Sequence, residues 1–120
     1  MVTVLVYFFF AWQQRVSYDI TTNLDPHTHT LTAVENLTYY NNSPAILETL
    51  YFHLYPNAFH DRNTVFAREI KKIGDYKFDR APKKDRGYIR IDGVRSAERA
   101  VRYEINETIM RLMLDQPLLP

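Results

Sequence analysis

From Arg15 onward, apolar and polar residues alternate with a period of two, not the 3.6 of a helix. RVSYDITTNL sets Val16, Tyr18, Ile20, Thr22 and Leu24 on one face and Ser17, Asp19, Thr21 and Asn23 on the other, the pattern of a half-buried strand. The following DPHT reads as a turn, with Pro26 fixing the φ that the second turn position needs. HTLTAVENLTYYN then alternates Leu31, Ala33, Leu37 and Tyr39 with mostly polar neighbours; its odd member, Glu35, is expected near a bend or sheet margin. NNSP closes that strand, so two consecutive antiparallel connections are predicted. In the third strand, Ile46 to Tyr55, Leu50, Phe52 and Leu54 point one way and Tyr51, His53 and Tyr55 the other. Apolar or amphipathic side chains on both faces predict a strand covered on both sides, and Pro56 ends it.

The middle of the chain breaks this rhythm. NTVFAREIKK predicts a short helix with Asn63 as N-cap and Phe66 and Ile70 spaced four apart. RAPKKDRG follows as a basic loop, a charge run of the kind that is usually a solvated surface. Strand patterning returns at GYIRIDGV, VRYEI and TIMRLML; in the last, Ile109, Arg111 and Met113 lie on one side and Met110, Leu112 and Leu114 on the other. The expected fold is all-β: an antiparallel β-sandwich or saddle-like set of about six short strands, with one short helix or irregular excursion near 62–72. Three glycines are few for so many turns, and the sequence ends at DQPLLP where a turn signal and a new apolar segment begin. Residues 15–120 are therefore expected to form a β-domain that is cut short at its C-terminal end.

Composition narrows the classes. One domain fits 120 residues, and 46% hydrophobic with 24% charged residues is globular rather than disordered. A net charge of +1 supplies no field to hold a phosphate backbone, so nucleic acid is not an expected partner. The absence of cysteine excludes disulfides, thiolate metal sites and a Cys nucleophile. Residues 1–14 stand apart: Val2 to Trp12 holds only Thr3 as a weakly polar residue and no charge, before an abrupt Gln13-Gln14 break. That run is shorter than the roughly 20 apolar residues of a membrane span and has the length of a signal-peptide apolar region. It is read as a signal or anchor remnant, which implies a secreted, periplasmic or membrane-anchored location; the alternative is a β-strand, since Val, Tyr and Phe are strand formers.

No catalytic or cofactor-binding residue can be nominated from local motifs. His27 and His29 lie at i and i+2, a spacing that can chelate a metal on one strand face, but no nearby carboxylate completes a tetrahedron. They are expected to be exposed turn and strand residues. His53, between Tyr51 and Tyr55, is expected to be a half-buried hydrogen-bonder, and His60 has no partner motif. No H-E-x-x-H, G-x-S-x-G, G-x-G-x-x-G or P-loop occurs. Three N-x-S/T sequons start at Asn36, Asn41 and Asn106, and matter only in a eukaryotic secretory pathway.

The run SYDITTNLDPHTHTLTAVENLTYYNNSPAILETLYFHLYPNAF resembles the start of the N-terminal domain of aminopeptidase N-type (gluzincin) zinc metallopeptidases, a family that also includes leukotriene hydrolase. It is most similar to bacterial members, and GYIRIDGV and YEINETIMRLMLDQPLLP continue the likeness to Pro120. Ala33 stands where many relatives have Gly. The resemblance implies a non-catalytic β-domain that covers the active-site cleft and packs on a thermolysin-like catalytic domain of the same protein. Zinc, the H-E-x-x-H motif and the G-x-M-E-N strand that receives a peptide's free amine would belong to that domain of the parent enzyme, which removes N-terminal residues from peptide substrates. The alternative is a free-standing β-sandwich binding module that uses a Tyr-rich face, Tyr39, Tyr51 and Tyr55.

Overall fold

The computed structural model describes residues 12–120, in strands β1 (Arg15–Asp25), β2 (Thr30–Tyr40), β3 (Leu47–His53), β4 (Arg95–Ser96), β5 (Arg99–Ala100), β6 (Arg102–Asn106) and β7 (Ile109–Leu118). Helices α1 (Val65–Lys72) and α2 (Lys77–Arg80) and 3₁₀ turns at Tyr55–Phe59 and Lys83–Asp85 fill the middle. The fold is all-β with antiparallel sheets. The chain divides into two compact units: the described residues up to Leu47 with Leu118–Pro120, and Glu48–Pro117.

The first unit is a ribbon. β1 and β2 pair antiparallel from Arg15 opposite Tyr40 to Asp25 opposite Thr30. Residues directly opposite share a face, so the two alternations combine: Val16 faces Tyr39, Tyr18 Leu37, Ile20 Glu35, Thr22 Ala33 and Leu24 Leu31 on one side. Glu35 thus sits in the middle of an apolar stripe and midway along the ladder, not at a bend, although in a two-stranded ribbon each strand is a sheet margin. The connecting turn is built by Asp25, whose Oδ1 accepts the His27 backbone N–H at 2.8 Å and whose Oδ2 accepts the Thr28 hydroxyl at 2.8 Å. His29 supplies the left-handed φ of 53°.

At the other end the NNSP turn is a knot rather than a hairpin. The Asn41 Oδ1 accepts from Ser43 N and Oγ and from Gln14 Nε2, while its amide nitrogen donates to Ala45 O (2.7 Å) and Leu118 O (3.0 Å). Ser43 is 2% exposed. This network turns the chain out of the β1–β2 sheet, and β3 joins a different sheet, ordered β3-β7-β6. The second antiparallel connection predicted from sequence is therefore absent. The expected leader falls largely on residues 1–11, outside the described residues; Gln13 and Gln14 form a clasp on Asn42 through its side-chain amide and backbone N–H.

The second unit holds the core. Leu50 and Leu54 from the third strand region, Val101, and Met110 and Leu112 of β7 are buried, with Ala67 of α1. β3 is an edge strand covered on one face only: Leu50 is buried while Tyr51 and His53 are exposed. Double coverage was expected because Tyr and His look amphipathic in a pattern, although their polar tips allow them to face water. GYIRIDGV forms no ladder; it is held by single bonds, Ile89 N–H to Asn57 Oδ1 (2.7 Å) and Tyr103 O–H to Ile91 O (3.0 Å). DQPLLP is not a turn: β7 runs on through Pro117 to Leu118.

The helical excursion forms where the pattern placed it. Its N-cap is Thr64 rather than Asn63, with extended backbone and a hydroxyl that accepts the Ala67 N–H; Asn63 sits one residue earlier, its backbone N–H bonded to Asp61 Oδ1. Phe66 meets Phe59 (4.7 Å between centroids) and Phe78 (5.7 Å) edge to face, tying α1 to the 3₁₀ turn and α2. The scarcity of glycine is resolved by non-glycine residues in left-handed backbone: His29, Ala97, Glu98 and Glu107.

Ala97 and Glu98, with φ 47° and 67°, join β4 to β5 as a two-residue turn with both central residues left-handed. Such turns favour Asn-Gly, and each L-residue other than Gly or Asn costs about 1 kcal/mol there. The double replacement Ala97→Asn, Glu98→Gly is expected to raise unfolding free energy by about 1–2 kcal/mol in a denaturant titration.

Candidate functional site

A concavity that collects polar, chemistry-bearing side chains lies in the second unit. It is an open cleft of about 370 Å³ whose lining includes Asn57, His60, Asp61, Thr64, Tyr88 and Glu107. Asn57 organises it. Its Oδ1 accepts Ile89 N–H, and its Nδ2 donates to Glu107 O at 3.1 Å, so one amide joins the corner after Pro56, the 86–92 stretch and the β6–β7 turn. Glu107, at φ 49°, aims its carboxylate at the start of α1, where Oε2 accepts Val65 N–H at 3.1 Å. α1 has no acid of its own in its first turn, and Glu107 supplies that charge from another segment.

His60 Nδ1 lies 3.3 Å from Asp61 Oδ2, and the His60 ring meets Tyr88 edge to face at 5.0 Å. Asp61 is held below the usual aspartate pKa, first by the Asn63 backbone N–H and then by His60 and the more distant Arg86 charge. A carboxylate that orients an imidazole is one part of an acid–base device, but the neighbouring hydroxyl is spent: Thr64 Oγ1 donates to Ala58 O and accepts from Ala67 N. The cleft is open and large enough to admit a small group, and the Thr64 hydroxyl that lines it is committed to backbone partners.

The residues singled out from sequence are dispersed. His27 and His29 belong to the β1–β2 turn, where the adjacent Asp25 carboxylate is occupied by His27 N–H and Thr28, and among the described residues no group of three or more His, Asp or Glu could hold a metal. His53 is not half-buried between tyrosines; it is exposed and stacks on Tyr55 alone, 5.0 Å apart and 5° from coplanar. Tyr51 and Tyr55 are 66% and 68% exposed, whereas Tyr39 lies on the ribbon. Of the sequons, Asn41 has its amide nitrogen committed to two carbonyls, while Asn36 and Asn106 are exposed. From sequence, Asn57 is expected only as part of a corner running from Asn57 to Phe59, and neither it nor Glu107 is a site candidate, since an Asn after a strand-ending Pro and a Glu in a hairpin turn look like solvent-facing loop residues. The signal that could have flagged Glu107 is its place at the turn of the NET sequence, where Gly or Asn is the usual choice.

Comparisons with protein-family models, curated proteins and solved structures each return no match. Among the described residues no helix is long and apolar enough to cross a membrane.

Two measurements test this geometry. Asp25 and Asp61 are expected to titrate below the ordinary aspartate pKa of about 3.9 in a carboxyl NMR titration. A lowered folded pKa gives stability that is present above the unfolded value and is lost as pH falls through the folded one. Replacing Glu107 with Ala is expected to cost about 1 kcal/mol through the lost charge at the start of α1. Replacing it with Gly should be near neutral, because relief of the left-handed backbone offsets that loss; equilibrium unfolding of the two variants checks the pair.

Proposed function

We propose that this chain is a non-catalytic part of the N-terminal β-domain of an aminopeptidase N-like zinc metallopeptidase. In this reading it covers the active-site cleft of a parent enzyme that removes N-terminal residues from peptides, and it packs on that enzyme's catalytic domain. The observation that carries the proposal is the exposed apolar face of the ribbon, within the segment that bears the family resemblance. Tyr18, Ile20, Leu24 and Leu31 share that face, and Leu24 and Leu31 are 62% and 60% exposed. An exposed apolar face of this kind, interrupted by Thr22 and Glu35, marks a surface that functions when covered. The cleft at Asn57 fits the same reading in another way, since its polar groups hold segments of the unit together.

Zinc in this reading belongs to the parent's catalytic domain, together with the residues that ligate it, and the location is the cell envelope or outside the cell. The second reading, a binding module with a Tyr-rich face, draws on the exposure of Tyr51 and Tyr55. It is weakened because Tyr39 stands on a strand of the other sheet.

The purified chain is expected to show no aminopeptidase turnover and no stoichiometric zinc, and to bind an apolar dye such as ANS. Replacing Ile20 and Leu24 with Asp should abolish most of that dye binding while leaving the far-UV spectrum in place. Turnover by the chain itself, or dye binding that survives the replacements, would overturn the proposal.

A further inference from the structure

The second unit carries a feature that neither its core nor the cleft uses. α1 ends in a paired hydrogen-bond motif: Gly74 N–H bonds Lys71 O at 3.1 Å and Asp75 N–H bonds Ile70 O at 3.0 Å, with Gly74 at φ 87°. In such ends the residue after the glycine is commonly apolar and folds back on the helix. Here that residue is Asp75, whose Oδ1 instead accepts Lys77 N–H at 2.9 Å. Ile73, at the helix cap, is left 83% exposed, and Tyr76 beside it is 43% exposed. An aliphatic and an aromatic side chain thus project from a tight turn between two short helices.

The surroundings of that turn are basic. Lys71, Lys72 and Lys77 flank it. Lys71 lies 3.4 Å from Asp79 and Lys72 lies 2.7 Å from Glu69, but both lysine side chains stay more than half exposed, so the pairs hold their charge only loosely. Between residues 62 and 90 the chain has ten Lys and Arg against four Asp and Glu, while the rest has five against ten. The near-zero net charge therefore conceals a basic excursion on an otherwise acidic chain.

We propose that the Ile73–Tyr76 turn with its flanking lysines is a membrane-contact element that docks on an anionic lipid surface. Lysines gain from the negative potential of such a surface, and the aliphatic and aromatic side chains gain by entering the headgroup and acyl boundary. The pairing of features selects lipid over nucleic acid. A phosphate backbone would reward the lysines equally, but it offers no apolar phase to an exposed isoleucine. The inference stands apart from the aminopeptidase reading and survives if that reading fails.

The test uses the 120-residue chain with vesicles of phosphatidylcholine alone or mixed with phosphatidylglycerol. Binding in a sedimentation assay is expected only with the mixed vesicles at 0.1 M salt, and is expected to be lost at 0.5 M. K72Q/K77Q should weaken it about 25-fold, at roughly fivefold per cation. I73S should weaken it about tenfold, from the lost burial of the apolar side chain, while leaving the ribbon face untouched. Because the chain has no cysteine, I73C carrying an environment-sensitive dye reports insertion as a blue shift on mixed vesicles. Equal binding to both vesicle types, or variants that bind like the parent chain, would overturn the proposal. Lysine-dependent binding of a duplex oligonucleotide, with no blue shift on vesicles, would overturn it in favour of a nucleic-acid surface.

Discussion

Two strands cannot bury a face by themselves, and that constraint governs the first unit. The backbone of β1 and β2 is satisfied within the ladder from Arg15 opposite Tyr40 to Asp25 opposite Thr30. The side chains are not, because the register places Val16, Tyr18, Ile20 and Leu24 together with Leu31, Leu37 and Tyr39 on one side. Burial is partial for Val16, Leu37 and Tyr39, near the Asn41 knot, and falls away toward the Asp25 turn. Glu35 in the centre of the stripe has a physical consequence: a bare charge in an apolar face disfavours indiscriminate association of two such faces, as inward-pointing charges do on sheet edges. A partner that covers this face must also satisfy that carboxylate.

Side-chain amides bring together what the strands leave apart. Asn41 gathers Gln14, Ser43, Ala45 and Leu118, and Asn57 gathers Ile89 and Glu107. Asn suits both places because one short side chain presents donors and an acceptor in fixed geometry to backbone groups of several segments. The same economy explains the cleft. Its carboxylates are used locally, Asp61 on Asn63 N–H and Glu107 on Val65 N–H, so the concavity is a by-product of segments held at a junction.

Much of the fold was legible in the sequence. The alternation of β1 and β2, the Asp25 turn, the helix at 65–72 and the buried side of β7 at Met110 and Leu112 all follow from period and turn chemistry. The failures share one cause. GYIRIDGV alternates like a strand yet joins no ladder, its backbone bonding another segment through Val94 O, which accepts Val101 N–H, and β3 reads as central yet is an edge, because alternation states that a segment can pair and not whether a neighbour is present. Thr64, one residue past Asn63, is the N-cap, its hydroxyl held between Ala58 O and Ala67 N–H, and both residue types suit that position equally in sequence. The candidate site was barely legible: Asn57 and Glu107 are 50 residues apart and meet only through a backbone carbonyl.

By itself the sequence determined what is local: the two-residue period, the turns at Asp25 and Asn41, the helix between Thr64 and Ile73, and the glycine that ends it. These depend on dihedral preference and on bonds within a few residues, which composition encodes directly. The tertiary structure alone decided that His53 would stack on Tyr55 while His60 met Asp61 and Tyr88, that Asn57 would line a cleft, and that Ile73 would be left in water beside three lysines. Such outcomes turn on which segment arrives at a given face, and no periodicity within one segment specifies its neighbour.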